Sequence, residues 1–302
     1  MGFRDLDVLL SYNSSIHDIL NEFYIKVLSE AVSYKRIAGF FSSTSLAVSA
    51  RGISGLINNK GNMQLLVSPK LSSQDIEIIE KATKNPEEII QNRMLNEIER
   101  IHGIEGLIEK DYIIALGWLL ANSLLEIKVA TVYDNDGKLL DHEELKKSGL
   151  FHMKVGILED KNGDVISFSG SINETASAWI NNVEEFKVFK QWELGQSDYC
   201  NSDIKKFDLY WNDLAENVKV YRMPEAVEKK IIKMVPNNYD INKVKKARNK
   251  DENYGLQINL FDYQKKAIKL WNKYNYSMIF EMATGERVII VMGAVNVMKP
   301  RV

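Results

Sequence analysis

"FHMKVGILEDKNGDVISFSGSINETASAWINNVEEF", residues 151–186, sets one of the chain's four histidines two places ahead of a lysine. "FHMKVGIL" (151–158) and "DVISFSG" (164–170) read as strands, and "EDKNG" between them has the composition of a hairpin turn. Residues two apart on a strand share a face, so His152 and Lys154 point together. A neutral imidazole can attack phosphorus, and an adjacent ammonium can hold phosphate oxygens. The return strand ends in "SGSIN", where Ser171 and Asn173 are uncharged donors beside a helix predicted to start at Asn173. Backbone N–H groups at a helix start favour an anion. Glu184, on the next predicted strand (183–192), can accept the second ring N–H of a histidine and fix its tautomer. Taken one at a time, a His-x-Lys pair, a Gly-Ser turn and a strand glutamate are ordinary. Their order makes a phosphodiester-cleaving site that calls for no metal and no cofactor.

Working outward, apolar residues at Ile16, Leu20, Phe23, Val27 and Ala31 predict a helix over 16–34, followed by a short strand at "RIAGFF" (36–41). A helix over 45–57, a strand over 62–68 stopped by Pro69, and a capped helix over 72–83 come next. The alternation suggests strands joined by crossover helices in a partly parallel sheet. Helices are expected from Pro86 and again through "GLIEKDYIIALGWLLANS", then a strand over 124–132 and a polar loop carrying His142. After the quoted stretch come a helix at "SDIKKFDLYWNDLAEN" and an edge strand at "VKVYRM". The expected class is α/β, a mixed sheet flanked by helices over residues 1–222. Residues 223–258 are lysine-rich and hold two prolines, as expected of a linker with some helix, and a new apolar segment begins near 259.

The chain has 302 residues, 45% hydrophobic and 26% charged, which is ordinary globular composition. A net charge of −2 excludes a global basic signature, so any nucleic-acid groove must be local. Lys35, Arg36, Lys70, Lys138, Lys146, Lys147 and Lys187 are candidates to line it, or else solvated surface charges. The single cysteine, Cys200, cannot make an intramolecular disulfide and fits a reducing compartment. With no signal-peptide core, no myristoylation pattern and no apolar run of ~18–20 residues, the expected location is cytoplasmic and away from membranes.

"HMK", then "GSIN", then "NVEE" resembles the half-site signature of the phospholipase D superfamily: His-x-Lys, Gly-Ser-x-Asn and a downstream Glu. Glu184 follows Asn173 at the interval of that family's small single-motif nucleases. "YKRIAGFFSSTSLAVSARGISGLI" with "GNMQLLVSPKLSSQD" is similar to the first half of the phospholipase D-like domain at the head of certain bacterial helicases and restriction proteins. The resemblance covers roughly residues 5–222. It implies His152, Lys154, Asn173 and Glu184 as catalytic residues, with Lys154, Ser171 and Asn173 holding the phosphate. One departure stands out. Where the family usually places an aspartate of mainly structural role, this chain has Glu159, with Asp160 next to it, and the sequence leaves open which substitutes.

Superfamily members need two His-x-Lys motifs, yet His17, His102 and His142 have no lysine two places on. His17 reads as a helix-surface residue and His102 as a helix end. The resemblance therefore implies a twofold homodimer in which one His152 attacks and the other protonates the leaving group. "LFDYQKKAIKLW" (260–271) and "SMIFEMATG" (277–285) are similar to the start of a superfamily-two helicase, with Gln264 matching the adenine-reading glutamine. No Gly-Lys-Ser/Thr follows Gly285, so no ATP hydrolysis is expected. On its residues alone this segment is a helix and a strand; by resemblance it is a helicase remnant cut short. The implied activity is a DNA endonuclease, single-stranded DNA included as substrate, in restriction or antiphage defence, alongside a helicase or methyltransferase component. A catalytically silent DNA-binding and dimerisation module is the alternative, favoured by the near-neutral charge. A lipid phosphodiesterase is the third reading.

Overall fold

The computed structural model describes residues 1–41, 50, 52–80, 85–101, 107–148, 154–171, 185–237 and 239. The chain divides into two compact units, Met1–Val244 and Lys245–Val302, and every described residue lies in the first. The class is mixed α/β. Eight strands among the described residues form one sheet: β1 (Ser11–Asn13), β2 (Ala31–Phe40), β3 (Asn62–Ser68), β4 (Leu125–Val132), β5 (Lys154–Asp160), β6 (Val165–Ser171), β7 (Glu185–Lys190) and β8 (Val218–Arg222). Their order is β1-β7-β6-β5-β2-β3-β4-β8.

That order has two halves. β2, β3 and β4 run parallel, joined by helical crossovers as the alternation predicts, with β8 antiparallel at the edge. β5, β6, β7 and β1 run antiparallel. The halves meet where β2 pairs antiparallel with β5 at the middle of the sheet.

Helices cover both faces, because a sheet buried on both sides needs an apolar layer on each. On one face lie α1 (Lys26–Leu28, continuing a π-helical turn Leu20–Ile25), α2 (Ile53–Asn58), α4 (Pro86–Ile101), α5 (Leu107–Ala121) and α8 (Glu225–Ile232). They pack Phe23, Leu28, Leu56, Met94, Leu116 and Ile231 against Leu65, Leu158 and Phe168. On the other face α7 (Ser197–Trp211) lays Phe207 and Trp211 over Ile37, Leu66, Val155 and Ile157. Of two more helices, α6 (His142–Ser148) adds Leu145 to the α7 layer, and α3 (Ser73–Glu80) packs Ile76 in a separate small cluster with Leu71, Ile89 and Leu139. Val227 and Ile231 of α8 are buried, so the lysine-rich stretch begins inside the first compact unit. Among the described residues, no helix is long and apolar enough to cross a membrane.

Several elements depart from the periodicity. The predicted helix over 16–34 is cut to residues 20–28, and β2 starts at Ala31 rather than 36. Two strand partners explain it: Ser33 is registered with Asn62 of β3 and with Glu159 of β5, so ladder bonds on both sides override helical spacing. His142 opens α6 instead of lying in a loop. The Asp141 carboxylate accepts the Glu143 and Glu144 N–H groups, while the Glu144 carboxylate accepts the Asp141 N–H, a reciprocal cap. The helix expected from 202 begins at Ser197 and stops at Trp211, two residues before Asp213 turns the chain with φ 56°. His17 sits in a turn, its Nδ1 accepting the Asn13 N–H at 3.1 Å, with its ring edge-on to Tyr12.

The N-terminus clamps the β5–β6 hairpin. The Phe3 N–H donates to Asp160 Oδ2 at 2.7 Å, and the Arg4 guanidinium grips the Asp164 carboxylate through Nε and Nη2. That fixes the strand on which the candidate site is built.

Candidate active site

Alternation along β5 sorts its residues. Val155 and Ile157 join the layer under α7, whereas Leu158 joins the opposite one, on the side of Lys154, Gly156 and Asp160. Lys154 is only 6% exposed, although lysines are seldom buried. It is registered opposite Gly170 of β6, and Gly170 opposite Phe186 of β7. One row along, Arg36 of β2 is registered opposite Gly156, and Gly156 opposite Phe168. A cation, a glycine and an aromatic thus repeat in two adjacent rows. The glycines are required by contact: a methyl on Gly156 would collide with the Phe168 ring, and one on Gly170 with the backbone of Glu185 and Phe186. Phe23, Phe168 and Phe186 pack with centroids 5.0–5.3 Å apart and wall this face.

Arg36 is fully buried. Its Nη1 donates to Tyr34 Oη at 2.8 Å and to Tyr24 Oη at 3.3 Å, and its guanidinium carbon lies 5.6 Å from the Phe168 ring centroid. Nε and Nη2 have no hydrogen-bond partner among the described residues. Burial pulls the guanidinium down, but Tyr34 and Tyr24 more than offset it, so the net direction is up and the charge is retained. A buried charge with open donors costs several kcal/mol unless something compensates it.

At the far end of β5 only one of the two adjacent acids is buried. Asp160 is 1% exposed and accepts N–H groups from Phe3, Asn162 at 2.8 Å and Asp164 at 3.0 Å. Glu159, one residue earlier, falls on the other face and is exposed. The structural carboxylate is Asp160, because only its face turns toward the N-terminal segment.

Ser171 ends β6, registered opposite Glu185, the first residue of β7. The end of β2, the start of β5, the end of β6 and the start of β7 share one edge of the sheet. His152, Asn173 and Glu184 lie outside the described residues, as do Gln264 and His102. His152 and Asn173 are two residues along the chain from Lys154 and Ser171, and Glu184 is joined directly to Glu185. Of the groove candidates, Lys35 pairs with Asp208 at 2.9 Å, Lys70 with Glu97 at 3.3 Å, Lys138 with Glu144 at 2.7 Å and Lys187 with Glu185 at 2.6 Å. These lysines are charge-balanced and scattered over several elements. Arg36, grouped with them on sequence, is instead interior; the only signal was a cation inside the apolar run "RIAGFF".

No family model and no curated protein matches the chain. Among solved structures, phosphatidylserine synthase from Haemophilus influenzae Rd KW20 is similar at 14% identity and a TM-score of 0.37, over 80% of this chain and 46% of that one. The chain spans less than half the length of that structure, and a likeness so distant decides nothing about activity.

Proposed function

We propose that this chain is a phosphodiesterase acting on DNA, with His152 as nucleophile and Lys154 as the cation that holds the phosphate. The observation that carries the reading is the burial of Lys154 on the inner face of β5, beside the Arg36 row and at the edge where β6 ends in Gly170 and Ser171 and β7 begins at Glu185. A lysine buried there suits a site that neutralises an anion.

The chemistry runs in two displacements. A ring nitrogen of His152 attacks phosphorus; the P–O bond to the leaving strand breaks, and the departing oxygen takes a proton from the partner subunit's His152. Water then attacks the phosphohistidine, giving its proton to the imidazole that acted as acid, and the P–N bond breaks to restore His152. Lys154 and Asn173, with Ser171, offset the charge on the non-bridging oxygens, and Glu184 holds an imidazole N–H. A homodimer supplies the second histidine, and restriction or antiphage defence is the setting that the sequence resemblance suggests.

The test is incubation of the purified 302-residue chain with plasmid and single-stranded DNA in EDTA, beside His152→Ala. Cleavage by the parent and none by the variant is the expected result. Salt-dependent DNA binding with no cleavage by either, in protein shown to be dimeric, would replace the nuclease with a binding module.

A further inference from the structure

Among the described residues β1 and β8 are the edge strands of the sheet, and an edge offers outward N–H and C=O groups to any further strand. In β1 the Val188 N–H donates to the Leu10 carbonyl, so Leu10 and Tyr12 bond β7 while Ser11 and Asn13 face away. His17 Nδ1 accepts the outward Asn13 N–H, and the Asn13 carbonyl accepts the Ile16 and His17 N–H groups. In β8 the Tyr133 N–H donates to the Asn217 carbonyl and the Met223 N–H to the Ile127 carbonyl. Odd positions therefore bond β4, and Val218, Val220 and Arg222 face away. The Val218 N–H donates back to the Ala215 carbonyl at 3.2 Å, and the Val220 N–H donates to Asp213 Oδ1 at 2.7 Å. Pro224, next in that outward series, has no N–H to offer.

Asp213 does this from an unusual position. Beyond α7 the Leu214 N–H donates to the Leu209 carbonyl at 2.9 Å and the Asp213 N–H to the Tyr210 carbonyl at 3.0 Å, with Asp213 at φ 56°. This is a Schellman cap, whose left-handed residue is most often glycine because a β-carbon is strained there. What an aspartate adds is reach: Oδ1 takes the Val220 N–H and Oδ2 the Lys219 ammonium.

We infer that Asp213 is an edge lock, closing β8 to pairing with a strand of a second copy of this chain by occupying the outward Val220 N–H. The lock is independent of the phosphodiester reading. It bears on assembly, because a homodimer of the proposed kind must then form away from β8.

The test compares the full-length parent with Asp213→Gly and Asp213→Asn. Glycine keeps the left-handed turn and removes the acceptor; asparagine also tolerates the turn and keeps an oxygen at Oδ1. Sedimentation over a concentration series reads self-association, and amide hydrogen exchange at Val220 reads the lock. In dilute Asp213→Gly, Val220 should exchange about tenfold faster than in the parent. At higher concentration this variant should form assemblies larger than the parent's, with protection returning at Val220 as a second copy pairs there. Asp213→Asn should match the parent in both readings. Faster exchange with no added assembly would overturn the inference, as would assembly that leaves Val220 unprotected. Equal assembly by Asp213→Asn would overturn it too, by making the charge rather than the N–H acceptor decisive. Should Asp213→Gly fail to fold, the parent alone suffices: a Val220 amide exchanging at the rate of an unbonded one refutes the lock.

Discussion

The two ends of β5 hold buried charge in opposite ways. At Asp160 three backbone N–H groups from the N-terminus and the hairpin saturate the carboxylate. At the Lys154 end, the neighbouring Arg36 keeps two nitrogens without partners among the described residues. The protein has solved one electrostatic problem internally and left the other open. A saturated buried charge is a structural part; an unsaturated one is a cost that the fold carries unless something else compensates it.

Breaking the saturated end should show its structural character first. Asp160→Ala strands three N–H donors and is expected to destabilise by about 2–4 kcal/mol in denaturant unfolding. Glu159→Ala, one residue away on the exposed face, should stay within about 0.5 kcal/mol of the parent. Equal losses from the two would erase the distinction between them. Next in size is Gly156→Ala, which drives a methyl into the Phe168 ring between the two ends and should cost about 1–3 kcal/mol.

Another buried charge sharpens the comparison with the smallest effect. Asp203 on α7 is buried with Oδ2 unpartnered, and burial pushes its carboxyl up against the opposing Ser167 hydrogen bond. A carboxyl raised in the folded state binds its proton more tightly there than when unfolded. Its contribution is therefore most favourable at low pH and is lost as pH rises through the carboxylate range. Asp203→Asn should stabilise by up to about 1 kcal/mol at pH 7, and the gain should fade toward pH 3–4. A gain independent of pH would mean that Asp203 is not a half-satisfied charge.

Much of this fold is legible in the residues because short-range periodicity decides it. The strands at 62–68 and 125–132 and the helix from Pro86 coincide with their expected places within a residue or two. The elements that went astray are those decided at a distance. β2 begins five residues early because β3 and β5 both bond to it, and β1, three residues long, exists only by pairing with β7. In the site, alternation alone puts Lys154 and Gly156 on one face, since the side-chain period of a strand is fixed by its backbone.

What the sequence by itself determined is therefore the local part: the His152–Lys154 spacing, the hairpin turn and the α/β alternation. Only the tertiary structure decided that Asp160 rather than Glu159 is the buried carboxylate, and that Arg36 is an interior cation rather than a surface one. Both depend on what another strand or the N-terminus brings to that spot, Phe3 in one case, Gly156 and Phe168 in the other. Cross-strand register joins residues more than a hundred positions apart, which no window along the chain can contain.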